Sequence, residues 1–268
     1  MSSRFITFLT DFGVQDEFVG VCHAVIQRIA GDVTVIDVTH GIPPQDVAHG
    51  AVVLARAAPY LPVGVHLAVV DPGVGSERRP VAVRTQSGSV FVGPDNGLLI
   101  TAAERDGIDA VRVLTNSRYH LEPVSRTFHA RDVFAPVAAH LAKGTAFDDL
   151  GDPLSQAELV RLALPEPELA GRELRGRVTT VDRFGNLASN LVRSHVDALG
   201  LASGEVVDAV LGGIAHATRL GETYADGGEG ELVLLEDSSG AIELALRDGS
   251  AATLTGAVAG DELRIRRR

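Results

Sequence analysis

One stretch sets the architecture: Val65-His66-Leu67-Ala68-Val69-Val70-Asp71-Pro72-Gly73-Val74-Gly75-Ser76-Glu77-Arg78. Its apolar half predicts a buried strand, which ends in a carboxylate and opens into a Pro- and Gly-rich loop. Ligands of open α/β sheets bind beyond the carboxyl ends of the strands. Asp71 and Arg78 can therefore place opposite charges around one small reactant. A salt bridge that only ties down the loop is an equal alternative on spacing alone.

Three further apolar runs end in an aspartate in the same way. These aspartates are Asp11, Asp37 and Asp95. A single aspartate at a strand end is often a turn residue or a helix cap. Four of them along one sheet edge favour a ligand site over coincidence, so we expect a site at that edge.

Helical periodicity alternates with these strands. Apolar stripes predict helices over Asp16–Ala30, with Asp16 as the N-cap, over Gln45–Tyr60 and over Asp132–Lys143. Strand–helix alternation predicts an α/β fold whose N-terminal, mostly parallel sheet is flanked by helices on both faces.

The pattern changes after residue 163. Residues 164–176 carry two prolines among acidic residues and predict a linker. Short β-rich runs separated by Gly-, Asp- and Ser-rich turns follow, which predicts a C-terminal all-β, barrel-like domain. We therefore expect an N-terminal α/β domain over 1–163 and a C-terminal domain over 177–268.

Composition excludes several classes of protein. The 268 residues carry a net charge of −11, which argues against nucleic-acid and anionic membrane surfaces as partners. The single cysteine, Cys22, excludes an internal disulfide and a cysteine metal cluster. No signal-like segment or transmembrane-length apolar run is found, so we expect a cytoplasmic protein. Motifs typical of NAD enzymes, P-loop NTPases, zinc proteases and α/β-hydrolases are also missing.

Two further regions carry polar side chains suited to chemistry. His129 precedes a predicted helix that Asp132 can cap, and it is either a general base or orienting group or a solvated loop histidine. Asp182, Phe184 and Asn186 can bind an ammonium, stack on a base and read a nucleobase edge, but spacing alone favours a strand–turn–strand corner, where Asp, Gly and Asn are common for backbone reasons. Ser238 lies in a predicted hairpin turn.

Six segments, taken together, resemble one family, the S-adenosyl-L-methionine (SAM) hydroxide adenosyltransferases, or adenosine-forming SAM hydrolases, which are relatives of the SAM-dependent fluorinase and chlorinase. They occur in family order over essentially the whole chain: T-D-F-G at 10–13, V-T-H-G-I-P-P-Q-D at 38–46, V-D-P-G-V-G at 70–75, G-P-D-N-G at 93–97, T-F-H-A-R-D at 127–132 and D-R-F-G-N at 182–186.

The resemblance implies hydrolysis of SAM to adenosine and L-methionine by in-line attack of an activated water or hydroxide on C5′. Asp71, Arg78 and His129 would handle the water, with Arg79 as an adjacent competitor for Arg78. No cofactor or metal is implied, because SAM is the substrate and its sulfonium is already charged. A homotrimer with active sites at its subunit interfaces is implied as well. The implied substrate-binding residues are Asp11, Asp182, Phe184, Asn186 and Ser238.

Two alternatives remain at this point. A SAM-dependent halogenase would keep the fold but change the nucleophile, and Asp71 argues against it because a carboxylate repels a bound halide. A non-catalytic SAM- or nucleoside-binding protein would not need the Asp71, Arg78 and His129 set. One departure from the family is Ala130, where members usually have Gly, and its methyl group either narrows the pocket beside His129 or has no effect.

Overall fold

A computed structural model describes residues 5–163 and 165–268. The chain divides into two compact units, Met1–Leu162 and Ala163–Arg268. The strands of the first unit are β1 (Phe5–Thr10), β2 (Thr34–Thr39), β3 (Val65–Val69), β4 (Pro80–Thr85), β5 (Val90–Pro94), β6 (Ile108–Val113) and β7 (Pro153–Leu154). Its helices are α1 (Phe18–Ile29), α2 (Val47–Ala57), α3 (Ile100–Arg105) and α4 (Ala135–Ala142).

The first unit is built on one seven-stranded sheet in the order β2-β1-β3-β5-β4-β6-β7. The four strands from β2 to β5 pair in parallel, and β4, β6 and β7 add an antiparallel edge. Side chains alternate between two apolar cores, one under α1 and α4 that contains Phe8 and one under α2 and α3 that contains Leu9. The predicted α/β fold with helices on both faces is confirmed.

Helix starts differ from the predicted ones. Glu17, not Asp16, occupies the N-cap of α1, and it makes no side-chain capping bond. Helix α2 begins at Val47 because the Asp46 side chain accepts from the backbone N–H of His49 at 2.9 Å, which satisfies one of the free amides of the first turn. A short 3₁₀ turn, Ala58–Tyr60, completes the predicted helix.

The third predicted helix begins earlier than Asp132, as a π-helical turn over Ala130–Phe134 that leads into α4. The Ala135 N–H donates to the Ala130 carbonyl, five residues back. Pro136 has no N–H to donate to the carbonyl of Asp132, and that carbonyl accepts from Leu121 N instead, at 2.8 Å. The prediction that Asp132 caps the helix was therefore wrong. π-Turns of this kind are frequent at functional sites.

The second unit is an all-β barrel, as predicted. Seven strands close in the order β10-β14-β13-β12-β11-β15-β9, and β9 pairs back onto β10. Its elements are β8 (Glu168–Ala170), β9 (Glu173–Val181), β10 (Leu187–Val192), β11 (Val206–Leu211), β12 (Ile214–Leu220), β13 (Leu232–Glu236), β14 (Ala241–Leu246), β15 (Glu262–Arg267), α5 (Arg193–Asp197) and α6 (Ala251–Thr255).

The stretch 164–176, predicted as a linker, contains β8 and the start of β9, which pair as a hairpin, and β8 lies outside the seven strands that close the barrel. Its Pro165 and Pro167 precede β8, where the lack of a proline N–H costs no ladder hydrogen bond. Leu164 lies outside the described residues. Within the described ranges, no helix has the length and apolar character needed to span a bilayer.

Candidate active site

Asp71 and Arg78 form a buried, two-pronged ion pair at the end of β3. Arg78 Nε donates to Asp71 Oδ1 at 3.0 Å and Nη2 donates to Oδ2 at 2.5 Å. Their side chains are only 6 and 7% exposed. Burial raises the pKa of the Asp71 carboxyl, and the Arg78 guanidinium offsets part of this rise. The carboxylate is thus a stronger base than an ordinary aspartate, held in one orientation.

His129 completes a chain with this pair. Arg78 Nη2 lies 3.1 Å from His129 Nδ1. Because a guanidinium can only donate, Nδ1 accepts and the imidazole carries its proton on Nε2. Burial, together with the nearby Arg78 charge, lowers the pKa of His129. His129 is therefore a neutral imidazole with an N–H to offer.

Two loops far apart in sequence meet at Gly75, which makes this chain possible. Gly75 has φ +77°, and a Cβ built on it would lie 2.3 Å from the carbonyl oxygen of Arg126. No other residue type tolerates both the left-handed backbone and this approach. Gly75 thereby brings the loop after β3 against the loop that carries His129.

A cavity of about 380 Å³ opens in front of Asp71 and His129. Asp11, at the end of β1, lines the same cavity, and its Oδ2 accepts from the backbone N–H of Gln45 at 2.7 Å. Gln45 has φ +67°, a strained conformation for a residue with a side chain, and it also lines the cavity. Sequence reasoning missed Gln45, because nothing in its neighbours predicts a positive φ.

Part of the cavity wall is aromatic. Phe12, Phe18 and Phe128 contact one another with ring centroids 5.2 to 6.0 Å apart, and all three line the cavity. Sequence reasoning missed this group as well, assigning Phe18 only to a helix stripe. Ala130 lies in the wall beside His129 and is almost fully buried.

The structure separates the two adjacent arginines. Arg79 pairs with Asp95, Nε to Oδ2 at 2.9 Å, and also donates to the Glu158 carbonyl at 2.6 Å. Of these two arginines, Arg78 is the one that contacts Asp71. Asp95 therefore belongs to a structural ion pair, and Asp37 lies within β2 rather than at its end. Of the four aspartates expected at one site, the cavity brings together Asp11 and Asp71.

In the second unit, Asp182, Phe184 and Asn186 occupy one tight turn between β9 and β10. Asp182 Oδ1 accepts from the backbone N–H groups of Phe184 and Asn186, and its Oδ2 accepts from the Asn186 amide at 3.0 Å. A carboxylate offers about four acceptor positions, so one remains for a ligand. Phe184 is 74% exposed, and Ser238 lies exposed in the β13–β14 turn.

Acidic groups surround this turn. Tyr224 donates its hydroxyl to Glu243 Oε1 at 2.9 Å. Burial raises the pKa of Tyr224 to about 12, and the charges of Glu243, Asp182 and Asp237 add to the rise. The three carboxylates therefore share one neighbourhood, which makes this end of the barrel attractive to a cation. Sequence reasoning missed Tyr224 and Glu243, because one lies in a loop and the other in a strand, and no sequence motif contains both.

Known proteins match the chain over both units. Residues 6–151 match the SAM hydroxide adenosyltransferase N-terminal domain, and residues 176–264 match the SAM hydroxide adenosyltransferase C-terminal domain. The chain belongs to the SAM hydroxide adenosyltransferase family. This confirms the family identified from the six sequence segments.

Relatives of this SAM hydroxide adenosyltransferase family member fall into two groups. The (R)-S-adenosyl-L-methionine hydrolase of Salinispora tropica is 44% identical over 97% of both chains. A fluorinase of Actinoplanes sp. is 32% identical over 90% of both chains. A solved structure of a conserved protein from Thermotoga maritima superposes with a TM-score of 0.93 at 36% identity, covering 98% of this chain and 100% of that one. The chain is thus more similar to the hydrolase than to the fluorinase.

Proposed function

We propose that this enzyme hydrolyses SAM to adenosine and L-methionine by attack of one activated water on C5′. The observation that carries the proposal is the Asp71–Arg78–His129 chain, two members of which form the wall of a cavity that also holds Asp11. The relatives named as SAM hydrolases support the same reaction.

Asp71 is the proton acceptor in this proposal. Its pKa is raised by burial, so it is a better base than a solvated carboxylate, and the two hydrogen bonds from Arg78 favour its ionised form. His129 donates its Nε2–H to the water oxygen. This hydrogen bond orients the water so that a lone pair of its oxygen points at C5′. A positioned base contributes roughly 10²–10⁴-fold, and positioning of the water contributes further.

Arg78 acts through the other two side chains. Its guanidinium packs over the buried Phe134 ring, 5.3 Å from the centroid, and is not part of the cavity wall formed by the described residues. It holds Asp71 with two hydrogen bonds and fixes the tautomer of His129 with a third. Arg78 is therefore a positioning residue.

The leaving group needs no help from the protein. Attack on C5′ forms the C5′–O bond and breaks the C5′–S bond, and the electron pair of that bond neutralises the sulfonium. Methionine departs as a neutral thioether, which requires no proton. The difficulty lies in the nucleophile, so the proposed reaction uses no cofactor or metal, and SAM is the substrate.

Substrate-binding roles follow from the chemistry of each group. Asp11 accepts from the two ribose hydroxyls, and the Gln45 N–H holds its carboxylate in place. In the second unit, Asp182 pairs with the methionine ammonium through its remaining acceptor position, and Asn186 reads the adenine edge. The exposed Phe184 ring lies close to the base, and Ser238 contacts the methionine end.

We further propose a homotrimer with active sites at subunit interfaces, and a cytoplasmic location.

Product analysis tests the proposed reaction. The purified protein is incubated with each sulfonium epimer of SAM in chloride buffer, and products are resolved by mass. Adenosine and methionine in equal amounts, from the (R) epimer for which the curated relatives are named, support the proposal. A 5′-chloro product would place the enzyme with the halogenases. Binding of SAM without any product would favour a sensor.

A further inference from the structure

Three metal-ligand side chains converge outside the cavity just described. They are His23 on α1, Asp37 in β2 and His40 directly after β2, and none of them lines that cavity. One donor atom from each lies within 4.8 Å of the other two. The carboxylate is central: Asp37 Oδ1 lies 2.8 Å from His23 Nε2 and 3.1 Å from His40 Nε2.

His40 shows an unsatisfied polar atom at this point. Its side chain is 5% exposed, and its Nε2 is buried without a hydrogen-bond partner among the described residues. The 3.1 Å approach to Asp37 is therefore not aligned as a hydrogen bond. Buried polar atoms in folded proteins are almost always partnered, so a missing partner is expected at this nitrogen.

The other ring nitrogen of His40 is already committed. Nδ1 lies 2.8 Å from the Thr10 hydroxyl, and the Phe8 ring packs edge-on against the imidazole at 4.9 Å. A hydrogen bond at one ring nitrogen with the second nitrogen aimed inward is the usual arrangement of a metal-binding histidine. With its proton on Nδ1, His40 would point a lone pair at a carboxylate oxygen, which is unfavourable unless a cation lies between them.

We propose that His23, Asp37 and His40 bind one divalent transition-metal ion of the zinc class. Two imidazoles and one carboxylate form a donor set that Zn²⁺ and Fe²⁺ accept, with the remaining positions open to solvent. Zinc–ligand bonds of about 2.0–2.1 Å place tetrahedral donors about 3.4 Å apart, so the half-exposed Asp37 carboxylate moves outward slightly to admit the ion.

The ion joins parts of the chain that lie far apart in sequence. It fixes α1 to the edge strand β2. Through His40 it is also connected to the loop after β1, which contains Asp11 of the cavity wall. The Thr10 hydroxyl that contacts His40 also accepts from Phe12 N at 3.2 Å, and the His40 carbonyl accepts from Gly13 N at 2.8 Å. The site therefore supports the loop that carries Asp11, without taking part in the proposed hydrolysis.

Metal titration of the purified, tag-free protein tests this site without any turnover assay. Co²⁺ is added first, because four- and five-coordinate Co²⁺ gives visible d–d absorption. Zn²⁺ is then added to displace the Co²⁺, and its own binding is measured separately by calorimetry. The variants are His23→Gln and Asp37→Asn. Both positions are half-exposed, so we expect these substitutions to leave the fold intact. The matched control is His49→Gln on α2, a half-buried histidine outside the cluster.

We expect one ion per chain, with affinity at least about 100-fold weaker in both cluster variants and unchanged in His49→Gln. Zn²⁺ should raise the unfolding temperature of the wild-type chain and of the control, but not of Asp37→Asn. If Co²⁺ gave no d–d bands and Zn²⁺ gave no heat of binding, the proposal would be overturned. The three residues would then form only a hydrogen-bonded His–Asp–His cluster. Equal affinity in the wild type and both cluster variants would also overturn it, because the ion would then bind elsewhere.

Discussion

Arg78 Nη2 donates to His129 Nδ1 across 3.1 Å, and this contact assigns the roles of the two side chains. A guanidinium has no lone pair to offer, so the imidazole must keep its proton on Nε2. His129 is then a donor toward the cavity and not the base. The proton of the attacking water goes to Asp71, whose pKa burial has raised.

Replacing Arg78 should disable the site without unfolding it. We expect Arg78→Gln to lower kcat by roughly 10²–10⁴-fold, because Asp71 and His129 both lose the group that orients them. SAM binding, measured by calorimetry, should change little, since Arg78 is outside the cavity wall. The adjacent Arg79→Gln is the control: it breaks the Asp95 pair, so it lowers the unfolding temperature but leaves kcat near wild type. Equal kcat in the two variants would refute the assignment of Arg78.

The pH dependence of kcat/KM should show an acid limb. Activity needs Asp71 ionised, and its pKa is raised above the ordinary 3.8, whereas the pKa of His129 is lowered below 6.5. Activity should therefore be lost on acidification, at a higher pH than the ordinary pKa of an aspartate would give. In His129→Gln, the residual activity should keep an acid limb that belongs to Asp71. A flat acid profile in that variant would show that Asp71 is not the base.

Gly75 should be indispensable for a geometric reason. In Gly75→Ala the new methyl group meets the Arg126 carbonyl at 2.3 Å, so the two loops separate and the Arg78–His129 contact breaks. We expect activity to fall at least about 100-fold. Gly88→Ala is the matched control, since Gly88 also has positive φ, +92°, but open space around it. It should lose about 1 kcal/mol of stability and keep its activity.

His66 should make the fold sensitive to acid. It is buried in β3 beside Thr7 and Phe91, and burial lowers its pKa from 6.5 to about 4. The unfolded chain binds a proton below pH 6.5, whereas the folded chain does so only near pH 4. Stability is therefore complete above pH 6.5 and falls between these values, by about 2–3 kcal/mol. Denaturant unfolding at pH 7.5 and 4.5 should show this loss in the wild type, and the total loss of stability between the two pH values should be smaller by this amount in His66→Asn.

The part of the site that follows the strand pattern could be predicted from the sequence. Apolar runs ending in Asp11 and Asp71 fix these carboxylates at one sheet edge, because parallel strands present the same end there. The same rule also pointed to Asp37 and Asp95, where it failed. Asp95 is buried against Arg79, and Asp37 lies inside an edge strand, and neither outcome is visible without the neighbouring side chains.

Features that arise from contacts between distant segments could not be predicted. The aromatic wall joins Phe12, Phe18 and Phe128, which share no periodicity. The π-helical turn after His129 depends on Pro136 together with a hydrogen bond from Leu121, and local propensity registers only the proline. The choice between Arg78 and Arg79 rested on family resemblance and spacing, and the ion pairs give it a physical basis.

The position of the ¹⁸O label after a single turnover tests the central claim most directly. Enzyme in excess over SAM is allowed one turnover in ¹⁸O-water, and the products are analysed by mass. If Asp71 activates a water, the 5′ oxygen of adenosine carries ¹⁸O and methionine is unlabelled. If the Asp71 carboxylate itself attacked C5′, the first adenosine would carry ¹⁶O from the enzyme and the protein would gain ¹⁸O. That second result would contradict the account of water attack given for this site.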